Sequence, residues 1–481
     1  MNEWYLFSLI IIGIFSVLLA TNWLQAKTLI NSDSIRIFVH ILVGLTVSIC
    51  IYIFKSNIQL ILLSSIFIGF NLLTLKLGKF KSINNTSRKS YGTIYFPLSI
   101  FILSFFFWEK PISLILSILV MTLSDPIATI IGKNEKTTFV PWRDKKSRRG
   151  VLAMFASTFL IIMLGTDLLA RIYNASFYIP LTVLFGCSLF TALSATLAES
   201  ISFKGSDNIS VPIVTFLSYE IFLINYTHGE LSTLAFWSFL SLFIFYYSWY
   251  KRSLSSSGAI SGYLIGIIIF GSGGWPWIFP LVFFFISSSF LSHLNHKESP
   301  ERNILQILAN GGLGAFFASI YFFYQFPPAI ILYLGAIGAA TADTWATEIG
   351  FYSRNEPKLI FSKTIVKRGV SGGITMLGLT ASMLGAFIIG ILGEKILGMN
   401  GLLFPIALGG LAGSATDSIL GRFIQAQFKC VSCNSSTEDR YHCDKRAKLI
   451  FGSKFIGNDM VNFINTIVGA TVTYYLWMYY G

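Results

Sequence analysis

Apolar runs long enough to cross a bilayer follow one another almost from end to end of this 481-residue chain. A spanning helix takes about 20 such residues. Lipid offers no partner to open backbone, so each run is committed to a helix. The first eight runs lie near 4–26, 37–54, 57–75, 93–108, 111–132, 151–170, 177–199 and 209–226. The second eight lie near 233–250, 257–271, 275–292, 304–324, 328–350, 370–391, 402–421 and 455–479. The chain is read as an all-α polytopic membrane protein of about sixteen transmembrane helices. With 54% hydrophobic and 12% charged residues, a soluble globular domain is excluded. The first run lacks a basic flank and a small-residue cleavage site, so it reads as a retained helix rather than a signal peptide.

Charge supports this division. Every Lys and Arg except Lys55, Lys110, Arg171 and Lys395 falls in an odd-numbered loop. The positive-inside rule then puts those loops in the cytoplasm and both termini outside. Eight spans per half is an even number, so the halves read as parallel repeats, 1–228 and 229–481. Most of the net charge of +13 reads as topology and attraction to anionic lipid. Lysines recurring beside membrane acids point instead to a phosphorylated ligand. Nothing resembles a soluble nucleic-acid-reading domain.

The halves repeat a pattern of acids. Asp125-Pro126-Ile127-Ala128-Thr129-Ile130-Ile131-Gly132 returns as Asp343-Thr344-Trp345-Ala346-Thr347-Glu348-Ile349-Gly350. Glu199 and Asp417 each follow their aspartate by 74 positions, in the contexts Ser194-Ala195-Thr196 and Ser414-Ala415-Thr416. Arg36 and Arg252 open matching spans, and Asp207-Asn208 and Asn458-Asp459 with Asn462 open the last span of each half. Basic loops ending Lys146-Ser147-Arg148-Arg149-Gly150 and Lys367-Arg368-Gly369-Val370-Ser371-Gly372 follow the two aspartates. An acid at mid-bilayer costs roughly 2.5–3.5 kcal/mol, so acids placed twice imply use.

All these acids are expected at the cytoplasmic ends of their helices, where a soluble charged reactant meets a lipid-dissolved one. Mg²⁺ prefers a few carboxylates together with phosphate oxygens. Asp125, Glu199 and Asp207, and in the second half Asp343, Asp417 and Asp459, are the candidate ligands. Lys146 and Lys367 are placed to neutralise a transferred phosphoryl group. Gly132, Gly150, Gly350, Gly369 and Gly372 would let backbone approach phosphate, with Ser147, Arg368, Ser371, Asn208, Asn458 and Asn462 as further contacts. No GxxxxGK[ST] and no dinucleotide GxGxxG is present. His40 reads equally as a packing residue or a phosphate contact.

Cys50 and Cys187 lie in apolar spans and read as core. Cys430, Cys433, His442 and Cys443 share one long loop, an insertion relative to the first half. They could close a Cys₃His zinc site or stand as reduced thiols. A disulfide fits a cytoplasmic loop least.

The first half resembles the polyprenol kinases of the dolichol kinase and phytol kinase type, through Arg36 to His40, Tyr91-Gly92-Thr93-Ile94-Tyr95, Asp125, Lys146-Ser147, Gly150, Glu199, Asp207-Asn208 and Pro212. It departs from them at Ile37 and Arg149. The second half resembles the family that includes phytyl-phosphate kinase, through Asn310-Gly311, Ala342 to Gly350, Lys367 to Thr375, Asp417-Ser418, Gln425, His442-Cys443 and Asn458 to Asn462. The resemblance implies a bifunctional enzyme using Mg²⁺ and a nucleoside triphosphate, CTP, to convert an isoprenoid alcohol to its monophosphate and then its diphosphate. Phytol, reused for tocopherol synthesis, is the substrate it implies, with geranylgeraniol and farnesol as near alternatives. A phosphatidate cytidylyltransferase-like CTP transferase and a membrane transporter are the competing readings.

Overall fold

The structure, a computed structural model, describes residues 3–27, 32–77, 90–133, 135, 137–174, 179–295, 301–443 and 445–480. Two compact units divide the chain, Met1–Leu231 and Ser232–Gly481. In the first, helices run α1 Glu3–Ala26, α2 Ser32–Ile53, α3 Ile58–Leu77, α4 Gly92–Phe107, α5 Pro111–Gly132, α6 Arg148–Ile172, α7 Leu181–Ser200 and α8 Asp207–Thr227. In the second they run α9 Leu231–Tyr250, α10 Ser256–Asn295, α11 Ile304–Tyr324, α12 Pro328–Gly350, α13 Met376–Leu397, α14 Leu403–Phe423 and α15 Asn458–Tyr480.

Thirteen of the described helices are long and apolar enough to cross a membrane. The protein is an all-α integral membrane protein, with strands confined to small two- and three-stranded sheets in its loops. Two expected spans fall outside the thirteen. Helix α4 has 16 residues, and α15, with 23, carries Asn458, Asp459, Asn462 and Asn465 toward its start. The spans expected at 257–271 and 275–292 are two helical segments of α10 that meet at a kink at Gly274, whose φ of 67° lies where only glycine is at ease.

Helix α12 is the buried centre of the second unit, packed by α13, α14 and α15. Its inner face is built from Gly335, Ala336, Gly338, Ala339, Ala340 and Ala342. A Cβ on Gly335 would stand 2.7 Å from Thr473 Oγ1, and one on Gly469 2.3 Å from the Ala339 Cβ. Small residues let the backbones approach where lipid supplies no hydrophobic drive. In the first unit α5 packs on α6 and α8, and α7 packs on α6 and α8.

Helix α5 contains a π-helical turn, Val120–Ser124, immediately before Asp125 and Pro126. Pro126 has no N–H and its ring crowds the preceding turn, so the helix widens to accept it. His40 on α2 places Nε2 3.1 Å from the Met121 carbonyl. In π register that carbonyl's partner is Pro126, which cannot donate. His40 is thus committed to backbone and packs on Phe96, with ring centroids 4.8 Å apart.

Candidate active site

In the first unit four polar groups come to one end of the helix bundle. Asp125 lies one and a half to two turns inside α5, about 10 Å from its last residue at 1.5 Å per residue. Glu199 ends α7 and Asp207 opens α8. Lys146 stands on a two-residue strand, Lys146–Ser147, paired antiparallel with Thr138–Phe139. Its Nζ bonds a Glu199 carboxylate oxygen and reaches Ser202 Oγ at 2.9 Å. Both partners of this ion pair are largely buried, with side chains 15% and 10% exposed. The charges acting on Asp125 are those of Asp207, Glu199, Lys146 and Arg36. The sequence-selected set therefore gathers in space.

Burial alone would depress the Lys146 amine, but Glu199, Asp207 and Asp125 outweigh it and hold the amine above its ordinary value. It stays a cation. Asp207 is not a helix cap, since Ser206 occupies that position. Asn208 donates to the Gly205 carbonyl at 3.2 Å and to Asp207 Oδ1 at 3.3 Å. Gly205, with φ 87°, lies so close to Gly92 that a Cβ would meet Gly92 N at 2.5 Å. That contact, with Tyr91 N donating to Lys204 O at 2.9 Å, ties the α7–α8 turn to the start of α4.

Gly132 and Gly150 face each other across the α5–α6 crossing. A Cβ on Gly132 would stand 2.4 Å from Ser147 Oγ and 3.3 Å from the Gly150 Cα. Ser147 caps α6, its Oγ accepting from Gly150 N at 3.0 Å. The second unit repeats this device. Gly350 and Gly378 meet, with Thr375 capping α13 through Gly378 N. Ile374 and Thr375 thus take the places of Lys146 and Ser147. Sequence alone aligned Lys367-Arg368-Gly369 with Lys146 to Gly150, and the structure sets that basic run upstream of the capping position.

In the second unit Asp343 and Asp417 face each other electrostatically, and Glu438 adds a third negative charge near Asp417. Asp417 Oδ2 is buried with no hydrogen-bond partner among the described residues, and so are both side-chain polar atoms of Asn465 on α15. Gly372, with φ 81°, presses the 369–373 loop onto α14, where a Cβ would meet Arg422 N and Ser418 O at 2.9 Å. Ser371 donates to Glu438. Arg368 donates to the Ser353 carbonyl at 2.6 Å and lies over Phe351. Lys367 is exposed and makes no ion pair among the described residues with either aspartate. Asp459 lies in the first turn of α15, with Asn458 exposed and Asn462 half-buried. Arg252 stands apart from both aspartates, beside Trp249, Tyr250 and Glu301.

Sequence reasoning passed over a polar network in the second unit. Arg302 donates to Ser292 Oγ at 2.7 Å, Ser292 donates to Glu348, and the Arg302 charge acts on Glu348. Glu348 follows Asp343 by little more than a helical turn, and its place in the repeated octapeptide was the available signal.

Among the described residues, Cys430, Cys433, His442 and Cys443 form the one group of three or more possible ligands whose donor atoms crowd together, all within 4.8 Å. The carboxylates of Asp125, Glu199 and Asp207 do not converge so far. They suit an ion completed by phosphate oxygens and water, which is how Mg²⁺ is commonly held.

Residues 239–470 match the family described as integral membrane protein DUF92. An uncharacterised membrane protein of Methanocaldococcus jannaschii is 30% identical over 229 residues, which cover 46% of this chain and 85% of that protein. The chain belongs to the DUF92 integral membrane family. Protein PGR of Arabidopsis thaliana is 30% identical over 271 residues, 49% of this chain and 92% of that protein. A phytol kinase of Synechocystis is 30% identical over 148 residues, 30% of this chain and 60% of that protein. No solved structure matches.

Proposed function

We propose that this chain is a bifunctional isoprenoid-alcohol kinase, with one phosphorylation in each unit. The first unit converts phytol, or a related alcohol such as geranylgeraniol or farnesol, to the monophosphate. The second converts the monophosphate to the diphosphate, and CTP is the donor in both steps. The observation that carries the reading is the gathering of Asp125, Lys146, Glu199 and Asp207 at one end of the first unit. Similarity to a phytol kinase supports it.

The geometry suits the chemistry. Exposed Ile127, Ile130 and Ile131 lie on the face of α5 opposite Asp125, so the helix shows lipid an apolar surface while the acid points into the bundle. Asp125 takes the alcohol's hydroxyl proton as that oxygen attacks the γ-phosphorus of CTP, the bridging P–O bond breaks and CDP leaves. Lys146, fixed by Glu199, holds positive charge where the phosphoryl group passes. Magnesium, when bound, neutralises charge on the donor phosphates. Asp125, Glu199 and Asp207, with Asn208, would hold it in the first unit, and Asp343, Asp417 and Asp459 in the second. Lys367 is free to turn toward phosphate, with Ser371 nearby. By the distribution of Lys and Arg, these ends face the cytoplasm.

The test is donor-dependent label transfer to phytol and to phytyl phosphate by purified protein. Label from γ-labelled CTP in the lipid is the expected result. Label from α-labelled CTP in the lipid would indicate a cytidylyltransferase, and none from either, with substrate uptake intact, a transporter.

A further inference from the structure

The insertion 424–457 has almost no core of its own. Its buried hydrophobic cluster is Ala426, Phe428 and Ala447, while Val431, Tyr441, Leu449, Ile450 and Phe451 are exposed. Segments of this size need a staple, because so little apolar surface cannot offset the entropy of ordering them. Yet it forms a three-stranded sheet, with Gln427–Lys429 between Ser436–Thr437 and Lys448–Phe451, and a separate hairpin, Tyr441–His442 with Lys445–Arg446.

The turns at the ends of these strands carry the thiols and the imidazole. Cys433 Sγ lies 3.5 Å from His442 Nδ1 and 3.9 Å from Cys443 Sγ, and Cys443 Sγ lies 3.2 Å from His442 Nδ1. Tetrahedral zinc, with bonds of about 2.3 Å to sulfur and 2.0–2.1 Å to nitrogen, sets its sulfurs about 3.8 Å apart and sulfur and nitrogen about 3.5 Å apart. Neighbouring residues such as His442 and Cys443 do not ordinarily face the same point. Here Cys443 takes φ 51°, a conformation costly for a residue with a Cβ, and this turns its sulfur back beside the imidazole.

We propose that Cys430, Cys433, His442 and Cys443 bind one zinc ion, which holds the insertion together and so keeps Glu438 against Ser371 beside Asp417. The thiols lose their protons to solvent on binding, and the binding energy becomes folding energy of the module. Glu438 sits between the two ligand-bearing turns, so its reach to Ser371 depends on their being locked. The zinc assignment stands apart from the kinase reading. Only the link to Asp417 touches it.

Full-length protein in detergent, purified without chelator, is assayed for metal by mass spectrometry. About one zinc per chain is expected, falling at least tenfold in Cys433→Ser and Cys443→Ser and unchanged in Cys187→Ser. Cobalt reconstitution is expected to give thiolate charge-transfer and tetrahedral ligand-field bands. Chelation is expected to speed amide exchange in 424–457 and also in 369–373. Free alkylation of Cys430, Cys433 and Cys443 without zinc after reconstitution, a Cys433–Cys443 disulfide, or full zinc in Cys433→Ser and Cys443→Ser would each overturn the site. Unchanged exchange at 369–373 would overturn the link to Asp417. None of these readouts needs phosphoryl transfer, so their failure is distinct from failure of the kinase reading.

Discussion

Replacing Lys146 with methionine separates what the Lys146–Glu199 pair does for stability from what it does for chemistry. The variant strands Glu199, whose side chain is 10% exposed, without its cation. Breaking a buried pair on one side costs about 3–5 kcal/mol. With Lys146 itself 15% exposed, the lower end, about 3 kcal/mol, applies. For a unit of this size each kcal/mol moves the melting temperature by about 2–4 °C, so a drop of roughly 6–12 °C is expected. The double variant Lys146→Met with Glu199→Gln leaves no stranded charge, and similar-volume neutral pairs cost little. It should recover most of the lost melting temperature while phytol phosphorylation stays abolished. Thermal unfolding in detergent and transfer of γ-label to phytol read the two quantities on one preparation. Unaltered melting in the single variant would refute the burial argument. Recovered phosphorylation in the double variant would reduce Lys146 to a structural role.

Other consequences are equally direct. Asp125→Asn should abolish phosphorylation of phytol and spare that of phytyl phosphate, with Asp343→Asn doing the reverse; equal loss of both steps from either would mean one composite site. Gly132→Ala places a methyl 2.4 Å from Ser147 Oγ. Such overpacking costs about 1–3 kcal/mol, so melting and first-step activity should both fall, whereas Gly69→Ala, with open space around it, should change neither. Because the folded amine of Lys146 is raised, its charge and the stability it contributes persist below the ordinary lysine value, about 10.4, and go only as pH rises through the higher folded value. First-step rates should therefore show no alkaline limb from Lys146 below that range. A limb near neutrality that Lys146→Arg removes would contradict this.

Most of the fold could be read from hydropathy, because lipid leaves apolar runs few alternatives to helix. The break in α10 is visible as Gly271-Ser272-Gly273-Gly274, and two helical segments do meet there, at Gly274. The first site was legible because charged groups in these helices are rare, so Asp125, Glu199 and Asp207 stood out. The second was misregistered at its basic loop. Lys367-Arg368-Gly369 looks like Lys146 to Gly150, but the capping hydroxyl and glycine contact that define the crossing belong to Thr375 and Gly378. The loop after α12 is longer than that after α5; a shorter α13, a shorter connection to α14 and an earlier place for Asp417 on its helix together restore the common spacing of the acids. Gly132 and Gly150 fit a phosphate-contact pattern in sequence yet face each other across two helices, because sequence cannot distinguish a glycine facing ligand from one facing another helix.

The insertion joins its unit through a narrow neck. Ser453 N donates to Ile424 O at 2.9 Å and Ala426 N to Ile456 O at 2.8 Å, so both strands of the neck are stitched together just beyond α14. The first unit turns the same corner with only 201–206. The junction is therefore a natural graft point, where a domain can be lifted out or exchanged between chains of this architecture while the lipid-facing scaffold below keeps its shape.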